Sequence, residues 1–60
     1  MKEIVIFYVE LLIYLDGEES SIVAVGMDSA ECTERAYNKL DELETLGHKV
    51  IVDELGMGIL

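Results

Sequence analysis

The stretch Ile4-Val5-Ile6-Phe7-Tyr8-Val9-Glu10-Leu11-Leu12-Ile13-Tyr14-Leu15 limits the folds open to this chain more than any other feature. β-Branched and aromatic residues fill it, and a single charge, Glu10, interrupts it. Such a run reads as one long strand, covering residues 2–15. Successive strand side chains point to opposite faces of a sheet. The odd positions Val5, Phe7, Val9, Leu11, Ile13 and Leu15 are all apolar. The even positions Ile4, Ile6, Tyr8, Glu10, Leu12 and Tyr14 are mostly apolar with polar tips. Both faces ask for cover, and a chain of 60 residues has little material to supply it.

Asp16-Gly17 follows the run, and Asp-Gly between two strand-like segments signals a type I′ hairpin turn, because both central residues need positive φ. A two-residue turn fixes the register with a second strand over residues 20–27. Leu15 then faces Glu18, Ile13 faces Ser20, Leu11 faces Ile22, Val9 faces Ala24 and Phe7 faces Gly26. On the other side Leu12 meets Ser21, Glu10 meets Val23, Tyr8 meets Val25 and Ile6 meets Met27. The odd face of strand one thus shares its side with small residues, Ala24 and Gly26, over which a helix can approach closely.

Asp28 with Glu31 three residues on is a capping-box arrangement, with Ser29 as the alternative cap. It predicts a helix over 29–46, with Cys32 or Thr33, Ala36, Leu40, Leu43 and Gly47 on one stripe. Gly47 suits the left-handed residue that ends a helix. Lys49 to Leu55 reads as a third strand, joined by a right-handed crossover and parallel to the second. Order 2-1-3 puts the most apolar strand in the middle, whereas order 1-2-3 would leave it at an aggregation-prone edge. The expected fold is therefore α+β, a single ββαβ domain over 1–60 with a three-stranded mixed sheet and one helix packed on one face. The glycines of the tail Gly56-Met57-Gly58 permit a bend or bulge, and Ile59 and Leu60 are expected to fray or to pair with another chain.

Thirteen acids against four bases give a net charge of −9. Direct nucleic-acid binding needs clustered Lys and Arg, and anionic membrane surfaces need the same. The charge favours a basic protein partner. Lys2 ahead of an apolar run begins a signal pattern, but Glu3 and Glu10 interrupt it and no small-residue cleavage site follows. The run falls short of the ~20 apolar residues of a membrane helix. With one lone thiol, the expectation is a cytoplasmic protein.

No catalytic constellation, cofactor motif or metal set is apparent, so the chain is not expected to be an enzyme. Cys32 and His48 stand at opposite ends of the helix, about 24 Å apart at 1.5 Å per residue, and cannot form a dyad. Cys32 fits a buried helix residue, and His48 fits a charge complement at the helix C-terminus. Asp16, Glu18 and Glu19 lack the spacing of a calcium loop. A lone Gly-x-Gly with no helix after it cannot hold a phosphate.

Two surfaces remain as candidates. The wet helix face carries Glu31, Glu34, Asp41, Glu42 and Glu44, a row that resembles a line of phosphates but is interrupted by Arg35 and Lys39. The even sheet face carries Ile6, Tyr8, Glu10, Leu12 and Tyr14 with Val23, Val25 and Met27. One helix cannot cover both sides of a sheet, and an exposed apolar patch of this kind marks an interface. A homodimer packed sheet on sheet about a twofold axis is the economical way to cover it.

The segments Ile22-Val23-Ala24-Val25 and Asp28-Ser29-Ala30-Glu31, with Ala36, Leu40 and Leu43, resemble a pattern of very small acidic phage and bacterial ββαβ proteins. The resemblance spans Tyr8 to Leu55. Some proteins of that kind inhibit host defence systems by binding a host protein, commonly as dimers, and no functional residue carries over individually. The expected function is a small protein-binding inhibitor or adaptor, of the phage counter-defence kind and homodimeric. The alternatives are an acidic nucleic-acid mimic in a basic groove and a small-ligand sponge with a dimer-interface pocket around Tyr8, Glu10 and Tyr14.

Overall fold

Two residues set the geometry of the sheet. In the structure, a computed structural model that describes residues 3–60, Asp16 has φ 51° and Gly17 φ 87°. Positive φ at both positions is what a two-residue hairpin needs to match the right-handed twist of its strands. Strand β1 (Phe7–Leu15) therefore folds back on β2 (Glu18–Gly26). The register is the one the turn dictates, from Leu15 opposite Glu18 to Phe7 opposite Gly26.

The chain leaves β2 through Met27 and enters α1 (Ser29–Thr45). Asp28 is the N-cap, and its carboxylate accepts a hydrogen bond from the Glu31 N–H at 2.8 Å. The helix stops at Gly47, whose φ of 96° suits the residue without a Cβ. The Gly47 N–H donates to the Glu44 carbonyl and the His48 N–H to the Leu43 carbonyl, the paired bonds of a Schellman ending. Strand β3 (Val50–Ile59) then runs along the other side of β1, giving the order β2-β1-β3. Both hydrogen-bonded pairs are antiparallel. The parallel relation expected of strands two and three holds only between the two edges, which do not touch.

The core follows the alternation of β1. Val9, Leu11 and Ile13 are buried, together with Ile22 of β2 and Cys32 and Ala36 of α1. Phe7, Leu15, Ala24, Leu40, Leu43 and Val50 pack around them, half-buried. The small residues of β2 bring the helix close: a Cβ at Gly26 would stand 3.0 Å from the Glu31 carboxylate. Arg35 reaches past it, with Nη1 donating to the Val25 carbonyl at 2.8 Å and Nη2 2.9 Å from Glu31 Oε1.

Three boundaries differ by more than one residue from those the sequence predicts. β1 begins at Phe7, and residues 3–6 carry no strand; Lys2 lies outside the described residues. β2 departs into the helix beyond Gly26, so the residues before Phe7 have no partner on that side. β2 itself starts at Glu18, because the tight turn lets pairing resume at once. The largest change is β3, which runs to Ile59 rather than stopping at Leu55. The tail pairs within its own chain, and the Leu60 N–H donates to the Ile6 carbonyl at 2.8 Å. A bulge allows this, but it lies away from the glycines: Leu12 faces Glu54 while Ile13 faces Val52, leaving Asp53 as the extra residue.

Candidate functional site

The sheet has one covered face and one open face. Parity places Tyr8, Glu10, Leu12 and Tyr14 of β1 on the open face, beside Val23 and Val25 of β2. Ile51, Glu54, Gly56 and Gly58 of β3 stand opposite Tyr14, Leu12, Glu10 and Tyr8. Ile6 and Met27 flank the strand ends. None of these residues is buried: Val23 is 60% exposed and Met27 65%, while Tyr8 and Tyr14 are half-buried. Of the eight residues expected at an interface, Ile6, Glu10, Leu12, Val23, Val25 and Met27 are exposed, and Tyr8 and Tyr14 are partly covered.

The centre of this face is a dent with a charge beside it. Glu10 is exposed and flanked by Val23 on one side and Gly56 on the other. A Cβ built at Gly56 meets nothing within 4 Å, so the surface there is bare backbone. Gly58 is different: a Cβ there would stand 2.8 Å from Tyr8 Cε1 and 2.9 Å from its hydroxyl oxygen. The Tyr8 ring therefore lies across Gly58 and uses the space of the missing side chain. Tyr8 and Tyr14 are separated by about 20 Å along the strand at ~3.3 Å per residue, so they do not wall one small pocket. A shallow depression of ≈ 290 Å³ beside Leu12, Tyr14 and Asp53 involves Tyr14 alone of the two.

The acidic helix face is partly neutralised. Glu31 pairs with Arg35, and Glu42 lies 3.7 Å from Lys39. Glu34, Asp41 and Glu44 are exposed, with no ion pair among the described residues. Exposed pairs of this kind contribute little to stability, ~0–1 kcal/mol, but they break the row of free carboxylates.

Cys32 is fully buried, and its Sγ donates to the Phe7 carbonyl at 3.2 Å. His48 is held by Asp16, with Nδ1 2.7 Å from Asp16 Oδ2. The other Asp16 oxygen accepts the Lys49 N–H at 2.9 Å, and the Asp16 N–H donates to the Lys49 carbonyl at 2.8 Å. These bonds hold the Asp16 carboxyl below its ordinary value of 3.8, the Lys49 N–H contributing most and His48 next. Asp16 is thus a clasp between the hairpin turn and the start of β3, a role beyond the turn that Asp16-Gly17 predicts. Order 2-1-3 carried the signal, since extending the pairing one step beyond Leu15 and Val50 brings Asp16 to Lys49.

No protein-family model matches the chain, and neither a curated protein nor a solved structure matches it. Among the described residues no three His, Cys, Asp or Glu side chains come together to hold a metal ion. No helix among them is long and apolar enough to cross a membrane.

Proposed function

We propose that this chain is a small protein-binding inhibitor or adaptor, without chemistry of its own, that acts as a homodimer and engages its target through the open sheet face. The observation that supports this most is the exposure of Leu12, Val23 and Val25 on one side of the sheet beside the half-buried Tyr8, with Ile6 and Met27 exposed at the strand ends. Burying one large apolar side chain contributes ~1.5–3 kcal/mol, so a few of them suffice for a stable complex. The target is a basic protein: Glu10 beside the bare backbone of Gly56 offers a seat for a Lys or Arg side chain. The resemblance to small acidic phage proteins makes a host defence protein the class of target and counter-defence the role.

Capture from candidate host cells tests this reading when wild type is compared with two variants. Leu12→Lys is expected to lose the captured protein. A triple variant with Glu34, Asp41 and Glu42 changed to Lys is expected to keep it, with a weak dependence on salt. A protein that leaves with the triple variant, stays with Leu12→Lys and dissociates steeply with salt would point to nucleic-acid mimicry by the helix and against the sheet face.

A further inference from the structure

β3 is an edge strand whose C-terminal half is built for pairing. The Leu60 N–H bonds to Ile6 and the Asp16 N–H to Lys49, so the even-numbered residues of β1 direct their peptide groups toward β3. Bonded and non-bonded pairs alternate along an antiparallel ladder. Gly58 and Gly56 therefore bond inward to Tyr8 and Glu10, their partners in the register. The N–H and C=O groups of Leu55, Met57 and Ile59 point out from the free edge. Their side chains stand on the helix side, opposite Leu11, Val9 and Phe7. The helix lies over β1 and β2 and scarcely reaches β3, so Leu55 is 37% exposed, Met57 54% and Ile59 63%.

Neither charge nor proline blocks this edge. From Leu55 to Leu60 the chain carries no ionisable side chain, in a molecule of net charge −9. The opposite edge is guarded in the way edges usually are. It opens with Glu18 and Glu19, and the Arg35 guanidinium occupies the Val25 carbonyl.

We propose that Leu55–Ile59 is the pairing site for a second copy of this chain. Two β3 strands join antiparallel about a twofold axis at Met57 and make one continuous six-stranded sheet. The segment is self-complementary: Met57 faces Met57, Leu55 faces Ile59 and Gly56 faces Gly58. Each residue with outward peptide groups meets another of the same kind, so the bonds close at every such pair. Directly opposed residues point to the same side of a sheet, so both helices lie on one face. The two sets of Leu55, Met57 and Ile59 line the trough between them. Chains of like charge repel, and this approach brings together their uncharged segments while Asp53 and Glu54 stay outside the paired stretch. A sheet-on-sheet dimer would instead place Glu10 of each copy within the buried face. Edge pairing leaves the open face of both copies free for a target, and it stands independently of whether that face binds one.

Sedimentation equilibrium of the full chain at micromolar concentration is expected to give twice the 6.7 kDa of one chain. Met57→Lys and Met57→Glu, each with an unchanged circular dichroism spectrum, are expected to halve that mass, because identical charges then face each other at the axis. Mixing the two variants in equal amounts is expected to restore it. A monomeric wild type would overturn the proposal. So would a dimer that survives Met57→Lys but dissociates in Leu12→Lys, and so would a mixture of the two charged variants that stays monomeric.

Discussion

The Tyr8 ring over Gly58 makes a quantitative claim about two residues that sequence alone does not connect. A glycine in a strand costs ~0.5–1 kcal/mol relative to alanine, so Gly58→Ala should stabilise an ordinary strand position. Here the new Cβ would stand 2.8 Å from Tyr8 Cε1, closer than carbon atoms approach, and the ring must swing away from the strand. That displacement forfeits a cross-strand contact of ~0.2–1 kcal/mol and exposes ring surface that Gly58 now covers. The two effects on the single variant nearly offset, so its sign decides little. The coupling decides. With Tyr8→Ala the obstacle is gone and the full gain from replacing glycine returns, so the interaction between the two changes should reach about 1 kcal/mol, within the range for residues in contact. For a domain of this size ~1 kcal/mol moves the melting temperature by about 4–8 °C. Thermal melts of wild type, both single variants and the double variant, all at one protein concentration, measure it. If Gly58→Ala shifts the melting temperature equally in both backgrounds, the ring does not rest on Gly58 and the described packing of the open face is wrong.

Leu11 is fully buried at the centre of the middle strand, and Leu→Ala at such a site costs ~2–5 kcal/mol. A small domain has only ~3–5 kcal/mol in total, so Leu11→Ala should be largely unfolded by circular dichroism at 25 °C. Asp28→Ala removes the acceptor of the Glu31 N–H and should cost ~0.5–2 kcal/mol, seen as a lower urea midpoint with an unchanged slope. Asp16 is a carboxyl whose folded pKa lies below its ordinary value of 3.8. Its contribution is therefore fully present above that value and is lost as pH falls through the lower folded value. Asp16→Asn should lose stability at neutral pH and show a shallower acid limb below about pH 4, the unfolded carboxylate range; an acid limb identical to wild type would mean that the clasp does not form.

The sequence spoke most clearly where structure is local. Asp16-Gly17 carries its own turn geometry, and once the turn is set, every partner along β1 and β2 follows. Asp28 and Gly47 mark the helix ends by short-range chemistry in the same way. The unread parts are those that depend on distant partners. Gly56 and Gly58 look like strand breakers in isolation, and only the Tyr8 ring, far away in the chain, shows why a strand can continue through Gly58. The bulge at Asp53 arises between β1 and β3, and no short-range signal in β3 announces it. The six strand residues of the open face, Tyr8, Glu10, Leu12, Tyr14, Val23 and Val25, were legible from alternation alone, because a three-stranded sheet with one helix must leave one side bare. Ile6 and Met27 lie beyond the strand ends, and their expected pairing does not form. What rests on that side leaves no mark in the residues beyond their apolar character and the carboxylates of Glu10, Glu19 and Glu54.

The bulge has a consequence for how this small sheet tolerates a change in length. Val52 faces Ile13 and Glu54 faces Leu12, so the ladder on either side would join without a step if Asp53 were absent. Loss of that single codon leaves Val50, Val52, Leu55, Met57 and Ile59 on the helix side and Ile51 on the other, as they stand now. Removal of a residue from the regular part of β3 instead turns every side chain beyond it to the wrong face. Asp53 is thus a point of slack in an otherwise rigid reading frame of faces. There the chain can lose a residue without rewriting the sheet.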